Sequence, residues 1–194
     1  MTPLISKVIW MLGCIAYFII RYPRIRRSRK AHVAQRFEST REMFLIGVSY
    51  TGLFLIPLIY VITGQPIFAN YAFYPLQSWI GLVVLIVAMA LLYRSHRDLG
   101  RMWSMTLELR DEHRLVTCGL YQKLRHPMYS AFWLWALSQV LLFPNWVTGA
   151  AGLVGFGVLF FGRLHREERM MLEKFGDEYR IYMARTQRII PGIY

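Results

Sequence analysis

Two stretches of this chain hold residue types that could do chemistry. The first reads His113-Arg114-Leu115-Val116-Thr117-Cys118-Gly119-Leu120-Tyr121-Gln122-Lys123-Leu124-Arg125-His126-Pro127-Met128-Tyr129. A loop that only fixed membrane topology would need Lys and Arg alone; this one adds two His, two Tyr, a Gly and a Pro. Gly119 allows a positive φ or a close backbone approach. Pro127 suits a first helical turn, which sets Arg125 and His126 at the start of a helix. Free N–H groups there, with the helix dipole, favour an anion such as a carboxylate or phosphate. A purely structural cap is the competing reading.

The second stretch runs from Arg163. Its spacing predicts a helix to about Tyr182. At about 100° per residue, Leu164, Met171, Phe175, Tyr179 and Tyr182 share one face, with Glu168 in its middle. Glu167 lies beside that face and Arg163 one turn back. A carboxylate on an apolar face must be paired or must bind something, because an unpaired buried charge is costly. Arg163 and Glu167 also stand at an ordinary helical ion-pair spacing, so a structural and a functional reading are both open.

The elements that must position these residues lie in the membrane. Of 194 residues, 56% are hydrophobic and only 18% charged, yet the formal net charge is +12. Apolar bulk with a basic excess fits a multi-pass membrane protein with basic loops on one side. A nucleic-acid binder would be basic too, but would not carry apolar runs of this length. Cys14 and Cys118 make neither a disulfide framework nor a metal-ligand spacing, so no metal is expected. The first apolar run ends in a basic cluster, the reverse of signal-peptide order.

Five apolar runs stand out: Leu4–Ile20, Met43–Ile62, Trp79–Tyr93, Tyr129–Phe143 and Trp146–Gly162. Only Pro144 and Asn145 separate the last two, a turn signal that predicts a tight helical hairpin. Arg21–Glu42 holds eight Lys/Arg, Arg94–Arg125 seven, and the tail from Arg163 seven more; all eleven acidic residues lie in the same three segments. Thr63–Ser78 and the Pro144–Asn145 turn hold none. Five spans put the basic segments on one side and the uncharged turns on the other. The positive-inside rule then predicts the N-terminus outside and the C-terminus inside, with Lys7 the one exception. The cluster Arg21–Lys30 reads as a topology anchor, with binding of anionic membrane lipid as the alternative. The fold class expected is all-α: a membrane helical bundle of about five transmembrane helices, completed by a C-terminal cytoplasmic helix. Residues 1–93 would form its N-terminal helices and 94–194 a catalytic half.

Taken in order, His113-x-Leu115-Val116-x-x-Gly119-x-Tyr121, Arg125-His126-Pro127-x-Tyr129, Glu167-Glu168, Phe175-Gly176-x-x-Tyr179-x-x-Tyr182 and a late Pro191 resemble the isoprenylcysteine carboxyl methyltransferases, within a wider group that includes phospholipid N-methyltransferases. The resemblance covers roughly residues 95–194. It implies S-adenosyl-L-methionine as methyl donor, and assigns His113, Leu115, Val116, Tyr121, His126, Pro127, Tyr129 and Glu167 to it. Arg163 matches the position that would meet a substrate carboxylate. The helical wheel favours Glu168 over Glu167 for the buried position, whereas the resemblance points to Glu167.

What the resemblance implies suits the residues present. Methyl transfer from a sulfonium is an in-line displacement that needs an aligned, partly desolvated nucleophile and little proton traffic; no nucleophile–base triad is visible. Glu167 would hold the donor's ammonium, His126 its carboxylate, and main-chain groups of Leu115–Thr117 the adenine. Arg163 would orient an acceptor carboxylate by a two-pronged hydrogen bond; its plainer reading is a span-end residue reaching to the interface. The expected acceptor is a lipidated cysteine or similar hydrophobic acid entering from the bilayer. Alternatives are an amine methyltransferase acting on phospholipid headgroups, an NADPH-dependent sterol-reductase-like enzyme, and a membrane scaffold without activity.

Overall fold

A computed structural model describes residues 1–28, 33–36, 40–103, 108–110 and 114–192. Helix α1 (Pro3–Ser28) is followed by α2 (Thr40–Tyr50), which runs on through a π-helical turn at Thr51–Leu55 into α3 (Ile56–Thr63) as one rod. Then come α4 (Pro75–Leu99), α5 (Pro127–Leu142), α6 (Trp146–Phe175) and α7 (Asp177–Arg185). A proline stands in the first turn of α4 and of α5, where its missing N–H costs nothing. Asn145 caps α6 by accepting from the Thr148 N–H at 2.9 Å.

The protein is a multi-pass membrane helical bundle. Among the described residues, four helices are long and apolar enough to cross a bilayer: Pro3–Arg26, Thr40–Thr63, Pro75–Leu99 and Trp146–Phe175. The fifth expected span, α5, has 16 residues, about 24 Å at 1.5 Å per residue, short of the roughly 30 Å hydrocarbon core. It packs between α4 and α6, and among its side chains only Leu137 is exposed. Its neighbours are protein, so it need not match the bilayer. The outer faces of the other helices carry the apolar belt, including Leu4, Ile5, Val83, Ile86, Val154 and Phe161.

Backbone pairing sorts the connecting segments by end. Val33–Arg36 and Glu108–Arg110 form an antiparallel two-stranded ribbon, an element that hydropathy alone does not predict. Leu124 bridges Gln187, so all three basic segments meet at one end of the bundle. At the other end Asn70 bridges Asn145, joining the two uncharged turns. Asn145 is fully buried and donates to Asn70 Oδ1 at 2.7 Å and Pro66 O at 2.8 Å. Lys7, the exception in the charge pattern, reaches the carbonyls of Tyr60 and Val61 at 3.4 Å, in the last turn of α3. There it meets carbonyls that carry the negative end of the helix dipole.

The rod formed by α2 and α3 touches α6 backbone to backbone. A Cβ on Gly52 would overlap the Ala151 carbonyl oxygen, and one on Gly155 would lie 2.8 Å from Val48 O. Helix propensity alone favours Ala over Gly by about 1 kcal/mol, but overpacking of this kind costs about 1–3 kcal/mol. Gly52→Ala is therefore expected to lower the thermal unfolding midpoint of the detergent-purified protein. Gly47→Ala, which meets nothing within 4 Å, should leave the midpoint unchanged or raise it.

Candidate functional site

A cavity opens at the basic end of the bundle, between α1 and α2 on one side and α5 and α6 on the other. Counted out to the solvent at its mouth, it encloses about 1320 Å³. One part of its wall is polar, with Tyr121, His126, Tyr129, Arg163 and Glu167. Another is apolar, with Ile46, Leu53, Phe54, Phe132 and Leu159.

The polar part is tied together from three helices. Arg163 Nη1 lies 2.9 Å from Glu42 Oε1, and its Nε 3.4 Å from Glu167 Oε2. The Tyr129 hydroxyl donates to the same Glu167 oxygen at 2.5 Å. His126 Nδ1 stands 3.9 Å from Glu167 Oε1, and the imidazole stacks on the Tyr129 ring at 5.3 Å. Two carboxylates, Glu42 and Glu167, flank the one guanidinium of Arg163, and the carboxylate and aromatic faces on this wall suit a cationic ligand group.

Glu167 and Glu168, adjacent in sequence, have different surroundings. Glu168 receives hydrogen bonds from Arg125 Nε at 3.1 Å and from Arg188 Nε and Nη2 at 3.2 and 3.0 Å. His126 Nε2 lies 3.5 Å away. The Glu168 side chain is 5% exposed and that of Glu167 26%; Glu167 lines the cavity and Glu168 does not. The wheel buries the right carboxylate, because α6 runs unbroken past the span end to Phe175. The helix then breaks at Gly176 instead of continuing to Tyr182.

Glu168 anchors the chain's tail. Arg125 also donates to the carbonyls of Met183 and Thr186. The backbone N–H groups of Arg125 and His126 reach Gln187 O and Arg188 O at 2.8 and 2.9 Å. Ser130 Oγ donates to Ile189 O at 2.5 Å. The tail thus lies along the loop that starts α5, and α7 brings Tyr179 and Tyr182 to the cavity. The Tyr182 hydroxyl donates to Tyr121 O at 2.7 Å. Burial pushes the phenol pKa values of Tyr121, Tyr179 and Tyr182 upward, which keeps them as donors.

Of the residues singled out in the sequence, Leu115, Val116, Tyr121, His126, Tyr129, Arg163 and Glu167 line the cavity together. Pro127 is the buried first residue of α5, behind the lining. His113 lies outside the described residues. Gly119 does what its type allows: φ is +60°, and a Cβ there would strike the Asp98 carboxylate, which accepts from the Leu120 N–H at 2.9 Å. Sequence reasoning misses the contribution of the first two spans: Tyr17, Arg21, Ser49, Tyr50 and Phe54 all face the cavity. It also misses Glu42, whose only signal was an acidic residue within a basic segment. Cys14 and Cys118 are both free thiols, and among the described residues no group of three His, Cys, Asp or Glu could hold a metal ion.

Residues 79–173 match the profile of the isoprenylcysteine carboxyl methyltransferase (ICMT) family. A rice (Oryza sativa subsp. indica) protein described as "Probable protein-S-isoprenylcysteine O-methyltransferase" is 26% identical over 156 residues, spanning 79% of this chain and 82% of the rice protein. Protein-S-isoprenylcysteine O-methyltransferase B of Arabidopsis thaliana is 30% identical over 133 residues, covering 64% of this chain and 68% of that protein. A solved structure of the eukaryotic intramembrane Ras methyltransferase ICMT superposes with a TM-score of 0.53 at 25% identity. The match covers 80% of this chain and 54% of that one, so this chain spans about half the length of the solved protein.

Proposed function

The chain belongs to the isoprenylcysteine carboxyl methyltransferase family of membrane methyltransferases, and from that premise we propose that it transfers a methyl group from S-adenosylmethionine to the carboxylate of an isoprenylated cysteine. The observation that carries this reading is the cavity with one charged wall and one apolar wall, set within the bundle. An amphipathic acid and a charged nucleoside donor fit such a pair of walls.

The residues present suit that donor. Glu167 is the cavity carboxylate that would hold its ammonium, with Tyr129 and Arg163 fixing the carboxylate's orientation. His126 would take the donor's carboxylate, and the half-buried Leu115 and Val116 would flank its base. Bound there, S-adenosylmethionine would supply an electrophilic methyl to the acceptor's carboxylate oxygen, the sulfur leaving with the electrons of the broken carbon–sulfur bond. The protein's task is then alignment and exclusion of water. Arg163, already against Glu42 and Glu167, acts as a positioning residue for that task. Purified protein should bind labelled S-adenosylmethionine and methylate N-acetyl-S-farnesylcysteine. Absence of binding at millimolar donor would overturn the reading.

The basic end of the bundle, with the cavity, faces the cytoplasm by the positive-inside rule. Cys118 is exposed at that end, while Cys14 is partly buried within α1. A membrane-impermeant thiol reagent should therefore label Cys118 in inverted vesicles or permeabilised cells and leave it unlabelled in intact cells. Labelling in intact cells would reverse the orientation.

A further inference from the structure

Arg21 is the cavity residue whose charge the charged wall does not use. It sits near the cytoplasmic end of α1 and is 7% exposed. Its guanidinium carbon lies 5.1 Å from the Trp103 ring centroid, 5.4 Å from Tyr17 and 5.5 Å from Phe132. Nε and Nη1 are both buried without a hydrogen-bond partner, and no carboxylate pairs with the group among the described residues. The other buried arginines of the cavity differ: Arg125 is held by Glu168, and Arg163 by Glu42 and Glu167.

A desolvated cation without an anion is costly, and three aromatic faces offset only part of that cost. A bound anion would recover the rest, and a guanidinium presents two parallel N–H groups that match a carboxylate. Resting on the methyltransferase reading, we propose that Arg21 is the residue that receives the acceptor's carboxylate and makes the site selective for acids. Arg163 is less suited to that task, because two carboxylates already occupy it. Arg21 also lies outside residues 79–173, so the span that matches the family profile supplies the donor wall while α1 supplies the acceptor's counter-charge. The rings that hold Arg21 continue into the apolar wall through Tyr17–Phe54 and Phe132–Phe156, at 5.0 and 5.3 Å between centroids. A prenyl chain attached next to the carboxylate would lie along them.

The test compares N-acetyl-S-farnesylcysteine with its carboxamide, as displacers of a fluorescent prenyl probe from the full-length protein in nanodiscs. This is a binding readout that does not depend on turnover. Wild type should prefer the acid by about ten- to hundredfold, the range for a charge-assisted pair. Arg21→Met should abolish the preference, with amide affinity and donor affinity unchanged. Arg21→Lys, which keeps the charge and serves if the Met variant does not fold, should lower the preference about tenfold. An acid preference undiminished in these variants assigns the carboxylate to Arg163 and overturns the proposal, as does equal binding of acid and amide by wild type. Weakened donor binding with intact acid preference also overturns it, by placing Arg21 on the donor. Failure of wild type to bind S-adenosylmethionine would count against the methyltransferase reading alone, leaving the acid–amide comparison to decide on Arg21.

Discussion

Glu167→Gln is expected to reduce methyl transfer at subsaturating donor by about ten- to hundredfold, with little loss of stability. The change removes a charge and keeps the shape. Glu167 is the more exposed of the two adjacent carboxylates and faces the cavity, so its net work is directed at a ligand. A hydrogen bond to a charged group is worth about 1.5–3 kcal/mol, which sets that range for donor affinity. Glu168→Gln is expected to behave in the opposite way. It leaves the 9%-exposed Arg125 side chain without its carboxylate and loosens Arg188, and breaking a buried pair costs about 3–5 kcal/mol. Its signature is a lowered unfolding midpoint, with a smaller loss of donor affinity in the protein that remains folded. Isothermal titration with S-adenosylmethionine and thermal unfolding in detergent separate the two. If only Glu168→Gln loses donor binding, the roles assigned here are exchanged.

Arg163→Met should be among the most destabilising single substitutions in the chain. The Glu42 side chain is 1% exposed and lies 2.9 Å from the Arg163 guanidinium. Removing the guanidinium breaks this buried pair, at about 3–5 kcal/mol. The double variant Glu42→Gln/Arg163→Met removes both charges and should regain much of that stability. It should not regain activity, because Glu167 loses its Arg163 contact either way. The double-mutant cycle is the measurement, and a coupling energy near zero would refute the pair.

Some of this architecture is plain in the sequence for physical reasons. Charge must sort to one side of a membrane, so the three basic segments and two uncharged turns were legible, and the ribbon and tail bridges follow the same division. Pro-Asn reads as a turn, and Asn145 both turns the chain and caps α6. The loop His113–Tyr129 stood out because its residue types exceeded what topology needs, and Leu115, Val116, Tyr121, His126 and Tyr129 are among its members that line the cavity. Contacts distant in sequence were not legible. Glu42 and Arg163 are 121 residues apart, and neither position has a local pattern that names the other. Arg21 looked like one more anchor in a basic cluster; only its three ring neighbours, drawn from three separate segments, set it apart. Short length hid the character of α5, since hydropathy cannot tell a helix enclosed by protein from one facing lipid.

That enclosure has a consequence for biogenesis. A 16-residue helix with one exposed side chain gains little from contact with lipid and cannot comfortably bridge the bilayer alone. It is best delivered to the membrane already folded back on α6, through the two-residue turn at Pro144–Asn145. The last helices would then leave the insertion machinery as a pair, and the bundle would close only when that pair docks on α4.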